Sequence, residues 1–226
     1  SGITEVFTGN VYEGLFRITD DATVQPLLAK TTKVSDDGLV YTFTLQDATF
    51  HSGRKLTAAD VKYSLDRFIG KDSVAARKRQ LSVIDHVDVV DDHTVAVHLK
   101  QRSISFTYNL GYVWIVDSKA GDLTAKEDGT GPYRMTDYRK GDSITLAVNK
   151  DYWGAKPKNG GVVYQYYADP TALNNALLTG AVDVVTGQSD PDTLDQFKAA
   201  GDTIIEGTST TKDLLAFNDR VAPFND

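Results

Sequence analysis

The tightest local constraint on this chain lies between Pro26 and Arg67, where turn signals and two different periodicities follow one another in order. Asp36-Asp37-Gly38 reads as a turn, because Asp bonds its own backbone and Gly accepts a positive φ. Val40, Thr42 and Thr44 then alternate with Tyr41, Phe43 and Leu45. Period two in β-branched and aromatic residues predicts a half-buried strand. Ser52-Gly53 punctuates again, and Thr57 stands three residues before Asp60, the spacing of a capping box. Val61, Leu65, Phe68 and Ile69 follow at i, i+4, i+7 and i+8, the apolar stripe of an amphipathic helix. A turn, a strand, a second turn and a capped helix are therefore expected in that order.

Composition narrows the partners. The chain has 226 residues, enough for one large or two small globular units with ample core. Its net charge is −7, which argues against nucleic acid, since phosphate binding wants a basic face. Arg77-Lys78-Arg79 is the one basic cluster, and a solvated helix face or loop accounts for it. Cysteine is absent, so disulfides and thiolate ligands are excluded. No apolar run approaches the roughly 18 residues of a membrane span. Ser1-Gly2 opens into polar sequence, which suits a cytoplasmic protein or a mature exported one.

The rest of the chain reads as further short elements. Val11 to Phe16 holds Tyr-Glu-Gly-Leu, with Gly14 as a candidate helix C-cap. Residues 74–84 predict loop and short helix. Val87–Val90 and Thr94–Leu99, joined by Asp91-Asp92-His93, predict a β-hairpin. The aromatic-rich run from Ser105 to Val116 predicts a buried helix and then a strand. Gly129-Thr130-Gly131 predicts a turn that brings backbone close to another chain segment or a ligand. Strands are expected at Tyr133–Tyr138, Ile144–Val148, Val162–Tyr167, Ala181–Val185 and Leu214–Asn218. Asp169-Pro170 to Gly180 and Asp190-Pro191 to Gly201 carry the start and stop signals of two helices.

Catalytic patterns are missing. His51, His86, His93 and His98 show neither i, i+4 pairing nor a Cys/His framework, so each reads as a surface or strand-side residue and no metal site or cofactor is expected. There is no G-x-S-x-G, and Gly70-Lys71-Asp72 lacks the rest of a phosphate-binding loop. The acid pairs Asp36-Asp37 and Asp91-Asp92 belong to turns. Among eleven Tyr and two Trp, most are expected in the core, and only those beside a cleft would serve a ligand.

Several of these stretches, in this order, resemble the bacterial extracellular solute-binding proteins of the peptide/nickel class, family 5. The resemblance rests on Tyr12-Glu13-Gly14-Leu15, Leu28-Ala29, Tyr41-Thr42-Phe43, Phe50-His51, and Leu56 to Val61. It continues through the 87–99 hairpin, Gly129 to Tyr133, Asn149 with Tyr152-Trp153, and Pro223-Phe224 with Asp226. Gln46 departs from the pattern, where the family usually has a basic residue. The resemblance implies a mixed α/β fold of the periplasmic-binding type (type II, peptide-binding class). Residues 1–11 and 119–226 would build an incomplete lobe I, with 12–118 as an inserted mixed α/β subdomain. The second lobe would lie outside this chain, and one lobe alone would bind weakly.

The same resemblance implies function. The chain would be a binding module and not an enzyme: the solute-capturing part of an ABC importer, closing about a hinge on a solute, first of all a peptide. An oligosaccharide or nickel chelate is the alternative within the family, and a secreted α/β hydrolase the alternative outside it. Thr4, Glu5, Arg77 and Asn218 would border the cleft. The partner would be a membrane permease, the receptor a monomer, and its place periplasmic or lipid-anchored at the cell surface.

Overall fold

The computed structural model describes residues 2–123, 127–186, 191–207 and 220. It is a mixed α/β structure, as expected, and among these residues the strands form three antiparallel sheets. Helix α1 (Gly2–Phe7) opens the chain, and β1 (Phe16–Ile18) pairs with β2 (Val24–Pro26). The largest sheet has the order β3-β4-β6-β5, from β3 (Ala29–Val34), β4 (Val40–Leu45), β5 (Ile84–Asp91) and β6 (Thr94–Leu99). The third is β7-β8-β9, from β7 (Tyr133–Arg139), β8 (Ser143–Val148) and β9 (Gly161–Gln165).

The opening prediction holds in detail. Gly38 takes φ +70°, and Asp37 Oδ1 accepts the Leu39 N–H at 3.0 Å, so the turn is closed by its own side chain. Helix α2 (Ala58–Ile69) starts where Asp60 Oδ2 accepts the Thr57 N–H and hydroxyl, each at 2.9 Å. That answers one of the donors a helix start leaves unpaired. Its buried stripe, Val61 and Leu65, meets the face of the large sheet that carries Phe43, Val87, Val95 and Val97. Full burial of each such side chain stabilises by about 1.5–3 kcal/mol.

Two apolar clusters result. The first runs from Leu15 to Ile115 and contains the large sheet, α2 and helix α3 (Phe106–Leu110). The second gathers Val6, Val11 and Tyr12 from the start of the chain, Val116, and Ile144 and Leu146 from β8. Helix α4 (Pro170–Leu178) has Asp169 at its N-cap, with Oδ1 accepting the Ala172 N–H at 2.8 Å. Helix α5 (Pro191–Ala200) ends before Gly201 at φ +92°.

Three local expectations need correction. Gly14 caps no helix; it lies beyond α1, and a Cβ there would stand 2.9 Å from the Val113 carbonyl oxygen. Residues 113–116 join no ladder. Ile115 N–H goes to the Glu13 carbonyl (2.9 Å) and Val116 N–H to Ser64 Oγ (2.9 Å), so their hydrogen bonds are taken elsewhere. Ala181–Val185 forms no strand, because the amides of Ala181 and Val182 turn back to the Ala176 carbonyl at the end of α4 (2.8 and 3.2 Å). The strand expected at Leu214–Asn218 and the cap expected at Asp190 lie outside the described residues.

Candidate functional site

The sequence stretches that looked most distinctive meet one another. Glu13, only 2% exposed, lies between α1 and β1 and gathers three of them. Its Oε2 accepts from Thr130 Oγ1 at 2.8 Å and from Trp153 Nε1 at 2.9 Å. Its Oε1 accepts from the Tyr152 hydroxyl at 2.6 Å. Burial pushes the Glu13 carboxyl above the usual range, and the three donors only partly offset it. The Tyr152 hydroxyl is pushed far up, by burial first and by the Glu13 charge second, so it stays a donor.

A second knot ties 50–54 to 127–134. His51, 8% exposed, places Nδ1 2.9 Å from Glu127 Oε2 and Nε2 3.0 Å from the Gly131 carbonyl. It is therefore an interior strut, not the surface residue expected. Arg134 Nη1 donates to the His51 carbonyl at 2.7 Å. The close backbone approach predicted for Gly129-Thr130-Gly131 is real, and its target is the chain itself. A Cβ on Gly129 would stand 1.8 Å from the Val11 carbonyl oxygen, and one on Gly131 would stand 2.3 Å from that of Asn10.

The third knot is ionic. Arg54 pairs with Asp60 and Asp117, and Asp60 Oδ1 also accepts the Ser118 N–H at 3.0 Å and hydroxyl at 2.7 Å. Burial alone would push the Asp60 carboxyl up, but Arg54, Ser118 and Thr57 overcome it and hold it below the usual range. Asp128 moves the other way, raised by burial and by its neighbour Asp117. Ser52, Arg54, Asp117, Lys119 and Asp128 are among the residues lining an open depression of about 320 Å³.

Two aromatic groups flank Val113, and Tyr108, Tyr112 and Trp114 are each partly exposed. The ring of Trp114 stacks on Tyr12, with centroids 4.8 Å apart and planes at 8°, and Phe7 of α1 sets its edge against both. Trp114 Nε1 donates to Thr8 Oγ1 at 3.0 Å, and Thr8 Oγ1 donates to the Thr4 carbonyl at 2.7 Å. Two residues before Trp114, Tyr112 carries the Arg77 guanidinium 3.7 Å above its ring. Tyr112 and Tyr108 share a hydroxyl bond of 2.9 Å. Burial raises the Tyr112 hydroxyl pKa and Tyr108 adds to it, while Arg77 pulls it down. Tyr and Trp here offer apolar faces with polar tips, and Arg77 supplies a fixed positive charge.

Of the four residues expected at the cleft, Arg77 lies over Tyr112, and Thr4 meets the Trp114 group only by its carbonyl, through Thr8. Glu5 lies on the exposed side of α1, and Asn218 lies outside the described residues. The sequence did not reveal the contacts of Tyr112 with Arg77 or of Trp114 with Tyr12, because their spacing carried only an aromatic-rich signal. Nor did it reveal Glu13, which sat inside a recognised motif without any sign that it was buried. Elsewhere, on the large sheet, His86, Asp88 and His98 come within 4.8 Å of one another by their ligand atoms. A search at helical spacing could not find them, because strand register brings them together.

The profile described as bacterial extracellular solute-binding proteins, family 5 Middle, matches residues 23–226. Di/tripeptide-binding protein 2 of Pseudomonas aeruginosa is 30% identical over 91% of this chain and 44% of its own length. Among solved structures, MoaA from A. tumefaciens R10, in complex with mannopinic acid, matches 99% of this chain and 48% of its own, with TM-score 0.82 and 27% identity. DppA from Helicobacter pylori, in complex with the peptide STSA, matches 88% of this chain and 45% of its own, with TM-score 0.79 and 28% identity. The chain spans less than half the length of the curated relatives it matches. Among the described residues, no helix is long and apolar enough to cross a membrane.

Proposed function

The chain belongs to the bacterial extracellular solute-binding proteins, family 5, and from that membership we propose that it forms part of an ABC importer's receptor that captures a short peptide. The receptor would be exported and would hand its solute to a membrane permease. It makes and breaks no bond; binding energy shifts an open–closed equilibrium that the permease reads. The single structural observation behind the peptide reading is the aromatic face at 108–114 with Arg77 stacked on Tyr112. A guanidinium held beside neutral phenols suits a carboxylate and the backbone of an amino-acid-derived ligand. A relative named for di- and tripeptides and a neighbour holding a tetrapeptide point the same way. Mannopinic acid in another neighbour makes a sugar–amino-acid conjugate the second reading.

Residues 1–11 and 119–226 would form lobe I, and 12–118 the inserted subdomain. Every member of the first apolar cluster's buried set lies between Leu15 and Ile115. The second joins the chain's start to β8 and also takes in Tyr12 and Val116 at the two ends of the insert.

The test is a thermal-shift screen of the full-length protein against di- and oligopeptides, opine-type conjugates and nickel chelates. A ligand at 100 times its Kd stabilises by about 2.7 kcal/mol. Peptides should raise Tm, and Arg77→Ala and Tyr112→Ala should each weaken that response. A response to the conjugates alone transfers the site to the second reading. No response to any panel, or full responses in both variants, refutes the placement of the ligand on this face.

A further inference from the structure

We infer that the outer face of the β5–β6 hairpin carries a binding site for a divalent cation of the Zn2+ class, ligated by His86, Asp88 and His98. The register makes it. His86 stands directly opposite His98, and Asp88 opposite Ala96, so the three ligands share one face of the ladder. Val87, Val95 and Val97 of the same strands point the other way into the core.

A β-bulge is what turns His86 outward. Ile84 pairs with Leu99 and His86 with His98, so Asp85 is an extra residue on the β5 side. By strict alternation His86 would share the buried side of Ile84; the extra residue puts it out with Asp85. Bulges are devices that re-aim a side chain. Here the device sets two imidazoles in parallel, with ring centroids 4.2 Å apart and planes at 9°.

The ligand atoms stand close enough to share one ion once the stacked rings turn about χ2 to aim both Nε2 lone pairs at it. His98 Nε2 stands 3.2 Å from Asp88 Oδ2, and His86 Nε2 stands 3.5 Å from the same oxygen. Ligands held about 2.0–2.1 Å from zinc at tetrahedral angles stand roughly 3.3 Å from one another. The other nitrogen of His86, Nδ1, stands 2.8 Å from Asp85 Oδ2. A carboxylate on the far nitrogen fixes the tautomer and ring orientation that leave Nε2 free to ligate. Two imidazole nitrogens and one carboxylate oxygen suit zinc, copper or nickel and suit magnesium or calcium poorly. The remaining position would be open to water.

The site is independent of the aromatic face. Its ligands are partly exposed, with side chains 50%, 59% and 31% accessible for His86, Asp88 and His98, so their replacement leaves the core intact.

The experiment is zinc titration of the chelator-treated, full-length protein by calorimetry, with nitrogen-detected NMR of the imidazoles. Saturable Zn2+ uptake is expected, with both His86 Nε2 and His98 Nε2 resonances shifting together. His86→Ala and His98→Ala should abolish it, and Asp85→Asn should weaken it about 10- to 100-fold. His93→Ala, in the hairpin turn, should bind like the parent. Cu2+ and Ni2+ should compete, while Mg2+ and Ca2+ should not. Absence of saturable uptake overturns the inference, and so does uptake that survives His86→Ala or His98→Ala unchanged. Either result leaves the peptide reading where it stands, since that is read by a different screen.

Discussion

Replacing Glu13 tests whether the motifs act as one joint. Glu13→Ala removes the carboxylate that Thr130, Tyr152 and Trp153 all donate to. Thr130 is fully buried, and an orphaned buried donor costs about 1–3 kcal/mol. Tyr152 and Trp153 are half-buried, so water can answer part of their loss. The sum comes to about 3 kcal/mol, a large share of the 5–15 kcal/mol typical of a domain. For a domain of this size, 1 kcal/mol moves Tm by about 2–4 °C, so Glu13→Ala should lower it by roughly 6–12 °C.

Glu13→Gln should be much milder. Its amide oxygen can keep Thr130 and Trp153, and the Tyr152 hydroxyl can turn to accept from the amide nitrogen. What goes is the charge assistance, about 1 kcal/mol. Calorimetric melts of Glu13→Ala, Glu13→Gln, Trp153→Phe and the Glu13→Gln/Trp153→Phe pair would supply the values. In the pair, the costs should fail to add, because both changes act on one bond. A Glu13→Ala melt within about 2 °C of the parent would show that the joint carries no weight, and strict additivity in the pair would refute the shared bond.

Gly129→Ala should prevent folding or cost several kcal/mol, since its Cβ would overlap the Val11 carbonyl, whereas Gly141→Ala, at φ +78° in open space, should cost only about 1 kcal/mol; soluble yield and melts compare them. Asp60 has a folded pKa below its ordinary value of about 3.9, so its contribution is complete above that value and is lost as pH falls through the folded one. Asp60→Asn should therefore lower stability at neutral pH and flatten the acid limb of a stability-against-pH curve; an unchanged limb would contradict the pairing. Arg77→Ala should cost little stability, about 0.5–1 kcal/mol for the cation–π contact, while weakening peptide binding, so melts and the ligand screen should separate the two effects.

Legibility followed locality. The 36–69 unit was readable because each part is decided within a few residues: Gly38 by its φ, β4 by alternation, α2 by Thr57 and Asp60. The 113–116 segment was misread because its β-branched residues look like a strand, and only distant partners, Glu13 and Ser64, claim its amides. Ala181–Val185 failed in the same way, drawn back to α4 by a carbonyl that no periodicity reports. The four histidines show the limit most plainly. His51 is buried by a partner 76 residues away, and His86 meets His98 only through strand register and a bulge.

The fold is easier to read than the ligand for a related physical cause. The most distinctive stretches satisfy each other: Glu13 holds Thr130 and Trp153, and Gly129 and Gly131 accommodate the carbonyls of Val11 and Asn10. Residues locked into such mutual contacts are fixed by geometry, so they identify the scaffold and leave the solute open. The aromatic face is built differently. Tyr112 and Trp114 are held by Tyr108, Arg77, Thr8, Tyr12 and Phe7 and stay partly exposed. Neither takes part in a knot, so on the proposed placement of the ligand they can be replaced without undoing the frame. On that argument, substitutions at Tyr112 or Arg77 should change which ligand stabilises the protein more than they change its unliganded Tm. Substitutions at Glu13 or Gly129 should do the reverse. A panel measuring both quantities would refute the division if the two sets of variants fell on one line.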